Sequence, residues 1–177
     1  HADGRQARTA IEKARRRIAL NLGASIGEIF FTSGGTEANN MALKCAVRDL
    51  GVQRIISSPT EHHCILHSLD SLAKYQGIEM VYLNVDAQGR INEDELKETI
   101  AASDKKSMVS LMYANNEIGV VNDVAAIGAI TRAHKVIFHV DGAQSVGKIP
   151  VEVVAMKIDL PKPREIDNVP YKVGLDQ

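Results

Sequence analysis

Four polar segments of this sequence hold side chains that could do chemistry, and each follows a run of apolar residues. They are TSGGTEA, SPTEHH, YANNEIG and VDGAQS. The last is the most unusual, because Asp141 stands at the tip of the apolar run VIFHV. A carboxylate there is costly unless a cation or hydrogen-bond donors meet it. Three partners are open: a helix N-terminus capped by Asp141, an arginine, or the protonated ring nitrogen of a pyridine cofactor.

The first segment can bind an anion. Gly34 and Gly35 precede Thr36 and a helical pattern, so backbone N–H groups, the helix dipole and a hydroxyl would point at whatever lies beyond the strand. The alternative is a plain turn in which Thr36 is the helix N-cap. The segment lacks the lysine of a Walker loop and the spacing of a dinucleotide fingerprint, so a single phosphate is the ligand that it fits.

The second and third segments contribute imidazoles and amides. His62 stands where a helix begins and could lie against a planar ligand or move a proton. His63 and His67 have the i, i+4 spacing of a zinc pair, but no second pair matches them, so we expect solvated histidines and no metal. Asn115 and Asn116 follow an apolar strand and are also common turn residues.

Alternating patterns predict the elements that position these segments. A helix over RTAIEKARRRIALNLG is followed by a short buried strand, EIFFT, and by a helix that ends at Gly51. Strands over RIISS, EMVYLNV, KSMVSLMY and VIFHVDG then alternate with helices. This order predicts a three-layer α/β/α fold with a mostly parallel sheet, whose ligands bind beyond the carboxyl ends of the strands.

Composition indicates one globular domain. The 177 residues include 45% apolar and 24% charged types with a net charge of −1, which indicates neither nucleic acid nor a membrane as a partner. Cys45 and Cys64 are expected to be packing residues in a reducing, cytoplasmic setting. We expect residues 1–160 to form a cofactor-binding segment and residues 161–177, with three of the five prolines, to be an irregular tail.

Together, a phosphate cradle, a stacking histidine and a ring-nitrogen aspartate favour pyridoxal 5'-phosphate (PLP) as the cofactor. The segments EIFFTSGGTEANNMAL, PTEHHCIL, NNEIGVV and FHVDGAQSVGK also resemble the signature segments of the cysteine desulfurases. These enzymes are the class V aminotransferase branch of the fold type I PLP enzymes. The resemblance extends from His1 to about Leu160 and implies the large-domain fold, incomplete here.

The resemblance implies a role for each matching residue. Gly35 and Thr36 would hold the phosphate, and His62 would stack on the ring and take part in catalytic proton transfer. Asn116 would contact the cofactor or the substrate near the ring hydroxyl. Asp141 would pair with the pyridinium nitrogen, and Gln144 would hydrogen-bond the phenolic oxygen. The implied reaction removes sulfur from L-cysteine, giving alanine and an enzyme persulfide for iron-sulfur cluster or thio-cofactor assembly. A sulfur-acceptor protein and a homodimer are the implied partners.

The sequence also departs from the family pattern. Asp167 occupies the position where ungapped counting places the family's Schiff-base lysine, and the nearby Lys157, Lys162 and Lys172 lack the flanking motif. The loop with the nucleophilic cysteine is also not found, so the chain as given is expected to be a poor catalyst or none. Three alternatives stay open: a selenocysteine lyase or other class V relative, a non-catalytic remnant, and a phosphate or nucleotide binder that uses only SGGTEA.

Overall fold

The structure, a computed structural model, describes residues 2–159. The tail predicted at 161–177 lies outside this range, as do Lys162, Asp167 and Lys172. Within the range, no helix is both long and apolar enough to cross a bilayer.

Helices and strands alternate along the described chain. The helices are α1 (Ala2–Leu22), α2 (Gly35–Leu50), α3 (His63–Gln76), α4 (Glu93–Ala101) and α5 (Val124–Ala133). The strands are β1 (Arg54–Ser57), β2 (Glu79–Tyr82), β3 (Ser107–Met112) and β4 (Ile137–Asp141). A short 3-10 helix, Ile26–Glu28, separates α1 from α2.

The strands within residues 2–159 form one parallel sheet in the order β2-β1-β3-β4. Parallel strands need a long crossover connection, and each crossover here contains a helix. The register places Ile56, Val109 and Phe138 in one row across the sheet. The predicted parallel sheet is therefore confirmed.

Two apolar cores lie on opposite faces of this sheet, because successive strand residues point to opposite sides. Ile55 and Met108 pack with apolar residues of α2 and α3. Their neighbours Ile56 and Val109 pack with residues of α1, α4 and α5. The predicted three-layer architecture is confirmed, with α2 and α3 forming one helical layer.

The strand predicted over EIFFT is wrong for the described structure. Residues 29–32 lie outside the sheet, and only the first of them, Ile29, is fully buried. Arg15 donates a hydrogen bond to the carbonyl of Ile29, and its guanidinium lies 4.9 Å from the ring centroid of Phe31. Apolar β-formers are not enough to make a strand, which also needs an adjacent strand to pair with.

Candidate functional site

The loops that follow β1, β3 and β4 meet at one edge of the sheet. This follows from parallel pairing, since adjacent strands place their carboxyl ends together. The amide Nδ2 of Asn115, after β3, donates a 2.7 Å hydrogen bond to the carbonyl oxygen of Thr60, after β1. The Tyr113 N–H donates to the carbonyl of Asp141 at the end of β4. Three of the four polar segments are thus joined directly.

Asp141 lies at the centre of this edge and is 4% exposed. Its Oδ2 accepts a 2.8 Å hydrogen bond from Asn39 Nδ2, and its Oδ1 accepts one of 3.0 Å from the Ala143 N–H. Both donors are uncharged. Across residues 2–159, no lysine, arginine or histidine forms an ion pair with this carboxylate, so the arginine alternative fails for the described chain. The Ala143 bond closes the turn after β4, but residues 143–148 form turns, so the helix that the capping alternative requires is not there.

Asn39 is a site residue that the sequence analysis missed. It is 6% exposed, and its Nδ2 also lies 3.5 Å from the sulfur of Cys64 on α3. One amide thus links α2, α3 and the end of β4. The signal was present in the sequence, because Asn39 shares the buried stripe of α2 with Leu43 and Ala46 at helical spacing.

The N-terminus of α2 lies beside the turn that follows Asp141. A Cβ placed on Gly35 would be 3.7 Å from the Cβ of Ala143. The first turn of a helix directs N–H groups without intrahelical partners toward its N-terminal end, which suits an anion. The proposed N-cap role of Thr36 is wrong: the cap is Gly34 in extended conformation, and Thr36 is the second helical residue with an exposed side chain.

His62 is the N-cap of α3, where the sequence placed it. Its Nδ1 accepts a 3.2 Å hydrogen bond from the Cys64 N–H, so the neutral ring carries its proton on Nε2. His62 is exposed. The neighbouring rings of His63 and His67 are stacked, 5.8 Å apart, and no group of three metal-binding side chains occurs in the described part of the chain.

The two asparagines of NNEIG have different positions. The side chain of Asn115 stabilises its own loop, since its Oδ1 accepts hydrogen bonds from the N–H groups of Glu117 and Ile118. Asn116 is exposed. Gln144 is half-buried, and its Oε1 accepts a 2.7 Å hydrogen bond from Lys148 Nζ. Their cofactor contacts stay predictions, as do those of Gly35, Thr36, His62 and Asp141.

Two further titratable groups lie next to Asp141, and the sequence analysis missed both. His139, on the same face of β4, hydrogen-bonds Ser110 Oγ through Nδ1 at 2.9 Å. Burial lowers the pKa of His139, against the opposing effect of the Asp141 charge. Burial raises the pKa of Glu61 to about 8, and the Asp141 charge adds to that increase. Strand alternation could have identified His139, whereas Glu61 lies in a loop with no period to reveal its burial.

Comparison with known families gives a match over most of the chain. Residues 1–161 match the family described as Aminotransferase class-V. A protein of Neisseria meningitidis (serogroup A) named cysteine desulfurase IscS is 48% identical over 162 residues, and the mitochondrial cysteine desulfurase of Drosophila melanogaster is 46% identical. The matched part is 90% of this chain but only 39% and 34% of those proteins. The chain therefore spans well under half the length of these relatives.

Solved structures share the fold. One titled "SspA in complex with cysteine" superposes with a TM-score of 0.82 at 34% identity, over 90% of this chain and 46% of its own. A NifS-like protein superposes with a TM-score of 0.83 at 34% identity, over 90% and 44%. DndA of Streptomyces lividans is 36% identical, with a TM-score of 0.80, over 90% and 44%.

Proposed function

This chain belongs to the class V aminotransferase family, and from that premise we propose that it is the cofactor-binding segment of a cysteine desulfurase. Class V aminotransferases and cysteine desulfurases depend on PLP. The proposal extends to L-cysteine as substrate, supported by the relatives' names and by the similar structure solved with cysteine. It also extends to a sulfur-acceptor protein, a homodimer and a cytoplasmic location, the last supported by two cysteines that form no disulfide.

One observation carries the proposal: a buried carboxylate with only uncharged partners lies beside a helix N-terminus. Within the described structure no cation is paired with the Asp141 carboxyl group, while α2 begins at Gly35 next to the Asp141 turn. These features suit a ligand with a cationic ring at one end and a phosphate at the other. PLP has this form, so the residues fit the cofactor that the family uses.

When bound, PLP supplies an electron sink, because its protonated ring withdraws electrons from the bond that is broken. The chain's own residues would prepare the site. Asp141 would hold the ring nitrogen in its charged form, and Asn39 and the Ala143 N–H orient that carboxylate. Thr36 and the first turn of α2 would bind the phosphate. His62 holds a proton on Nε2, the atom from which it can be transferred.

No described residue is assigned as the lysine that would attach PLP covalently or as the cysteine that would accept sulfur. Lys157 is exposed, in a turn where its φ is +53°. Cys64 accepts the Asn39 hydrogen bond, and the Sγ of Cys45 lies 3.8 Å from a guanidinium nitrogen of Arg48. We therefore propose that this chain binds PLP without covalent attachment.

A spectroscopic titration tests the proposed function. PLP added to the purified chain should give a shifted visible absorption band that dialysis removes, even after borohydride treatment. Asp141→Asn should weaken binding by at least about tenfold, since losing a charge-assisted contact costs on the order of 1.5 kcal/mol or more. Asp123→Asn is the matched control, because Asp123 is an exposed helix cap that asparagine replaces well.

Three results would contradict the proposal. A band that borohydride fixes to the protein would show an anchoring lysine in this chain. Equal affinity of the Asp141→Asn chain and its control, or no perturbation of the PLP spectrum by any chain, would remove the assignment of Asp141 as the ring partner.

A further inference from the structure

Glu61 is a buried carboxyl group with one oxygen left unpartnered. It lies between Thr60 and His62 and is 6% exposed. Its Oε1 accepts a 3.0 Å hydrogen bond from the Met112 N–H at the end of β3 and one of 3.2 Å from Ser58 Oγ. Its Oε2 is buried and has no hydrogen-bond partner among the described residues.

The groups that face Glu61 include no cation in the described structure. The loop after β1 contributes the Ser58 hydroxyl, and β3 contributes a backbone N–H. The charged group that acts on Glu61 from β4 is Asp141, which is also negative. Asn39 and the Ala143 N–H, which satisfy Asp141, are neutral. Two carboxylates therefore share a buried region, where keeping both ionised is costly.

We propose that Glu61 is a positioning residue of the ring site: it is uncharged while Asp141 has no cation beside it, and it releases its proton when a cationic ring nitrogen binds Asp141. The inference rests on the proposed function, because it requires that ring. The proton leaves the Glu61 carboxyl for the solvent, and the two carboxylates then face one cation. Glu61 acts through Asp141, because in its neutral form it adds no second negative charge beside that carboxyl group in the free chain.

The state of Glu61 in the free chain is tested by infrared spectroscopy. The C=O stretch of a protonated carboxylic acid is separate from the bands of carboxylates. At pH 7 the wild-type chain should show this band for Glu61, and Glu61→Gln should remove it. Glu28→Gln is the matched control: Glu28 is also buried, but its Oε2 accepts a hydrogen bond from the Ser25 N–H. A band at pH 7 that is unaffected by Glu61→Gln would overturn the proposal, as would no such band.

A second variant keeps the test valid if Glu61→Gln does not fold. Ser58→Ala removes the hydroxyl that donates to Oε1, a contact that lowers the pKa of Glu61. The acid band should then persist to higher pH than in the wild-type chain. An unchanged or lower titration midpoint would contradict the assignment of the band to Glu61.

The coupling to the ring is tested by counting protons. Calorimetric titration with PLP at pH 7, in two buffers of different ionisation enthalpy, gives the protons released for each PLP bound. Subtracting the Glu61→Gln value from the wild-type value cancels proton exchange by PLP itself. We expect the wild-type and Glu28→Gln chains to release more protons than Glu61→Gln, by a measurable fraction of one proton.

The two failures can be distinguished. Equal proton release by the wild-type and Glu61→Gln chains, with PLP bound to both, would overturn the coupling while leaving the proposed function intact. Absence of PLP binding in every chain would overturn the proposed function and the coupling with it. The infrared band would still report whether Glu61 is neutral in the free chain.

Discussion

At the scale of residues, the site is a set of buried polar groups whose hydrogen-bonding capacity is only partly used within the described structure. Asn39 satisfies one oxygen of Asp141, and the Ala143 N–H satisfies the other. Glu61 keeps one oxygen without a partner. Buried polar groups are normally paired, so an exception of this kind points to a ligand or to a changed protonation state. Both apply to the function proposed for this edge of the sheet.

Removing the amide of Asn39 should destabilise the fold. In Asn39→Ala, Oδ2 of Asp141 loses its donor, and a buried group left unsatisfied costs about 1–3 kcal/mol. Asn40→Ala is the matched control, since Asn40 is the next residue of α2 and its Nδ2 bonds only locally, to the carbonyl of Thr36. Urea denaturation should show a clearly larger loss for Asn39→Ala. Equal losses would indicate that the Asp141 contact adds nothing.

Glu61 should make stability fall as pH rises. Its pKa is about 8 in the folded chain and 4.5 ordinarily, so between these values only the folded state keeps the proton. The free energy of unfolding then decreases, by about 1.4 kcal/mol per pH unit from this group. Glu61→Gln removes that slope. Urea denaturation at pH 5 and pH 8 should show the variant gaining stability relative to the wild type at the higher pH, and parallel curves would contradict this.

At the scale of elements, the strands position the site and close helix packing maintains the layers. Helix α5 contains Gly128, where an added Cβ would overlap the carbonyl oxygen of Met156 in the turn that follows β4 in sequence. The residues just after that turn are bonded to the sheet, because Asp159 accepts a hydrogen bond from the Phe138 N–H. The absence of a side chain at residue 128 therefore allows α5 to lie against this turn.

Alanine at this glycine should be destabilising although alanine favours helices. Gly128→Ala should lower the free energy of unfolding by about 1–3 kcal/mol, because backbone must shift to relieve the overlap. Gly4→Ala is a control of opposite sign: Gly4 is also helical, with no atom within 4 Å of an added Cβ, and should gain about 0.5–1 kcal/mol. Thermal unfolding of both variants measures this, and a stabilising Gly128→Ala would contradict the packing.

At the scale of the whole molecule, a group of large apolar side chains is exposed near the start of the described chain. Leu20 is 81% exposed, Phe31 is 44% and Phe30 is 36%. Exposed apolar side chains favour association, because contact between two chains removes their apolar surface from water. Self-association is therefore expected for the isolated chain.

Phe31→Ser should reduce that self-association. It removes an aromatic ring from the residue 29–32 segment, and we expect the weight-average mass in sedimentation at a fixed concentration to fall toward that of one 19.2 kDa chain. Tyr75→Ser is the control, since Tyr75 is more exposed, at 73%, but lies on α3. An equal effect of the two substitutions would indicate that association does not depend on this surface.

The layered fold and most of the site edge could be predicted from the sequence, because they depend on local patterns. Apolar strands alternate with amphipathic helices, and parallel pairing then brings the strand ends together. On this basis His62, Asn116, Asp141 and Gln144 were assigned to one edge, whereas Gly35 reaches that edge as the first residue of α2 and not as the end of a strand. The strand over 29–32 was predicted incorrectly, because pairing depends on a neighbouring strand that no local pattern can supply.

By itself, the sequence determined which residue types follow each strand. It also determined the apolar periodicity that places side chains on one face of each helix or strand. Only the tertiary structure decided how those groups satisfy one another: Asn39 bonds Asp141 across 102 positions, and Glu61 is buried beside a second carboxylate. The reason is physical, since hydrogen bonding and desolvation depend on distances between atoms far apart in the chain. A local pattern sets where a side chain points, and the packing of the layers sets what it meets.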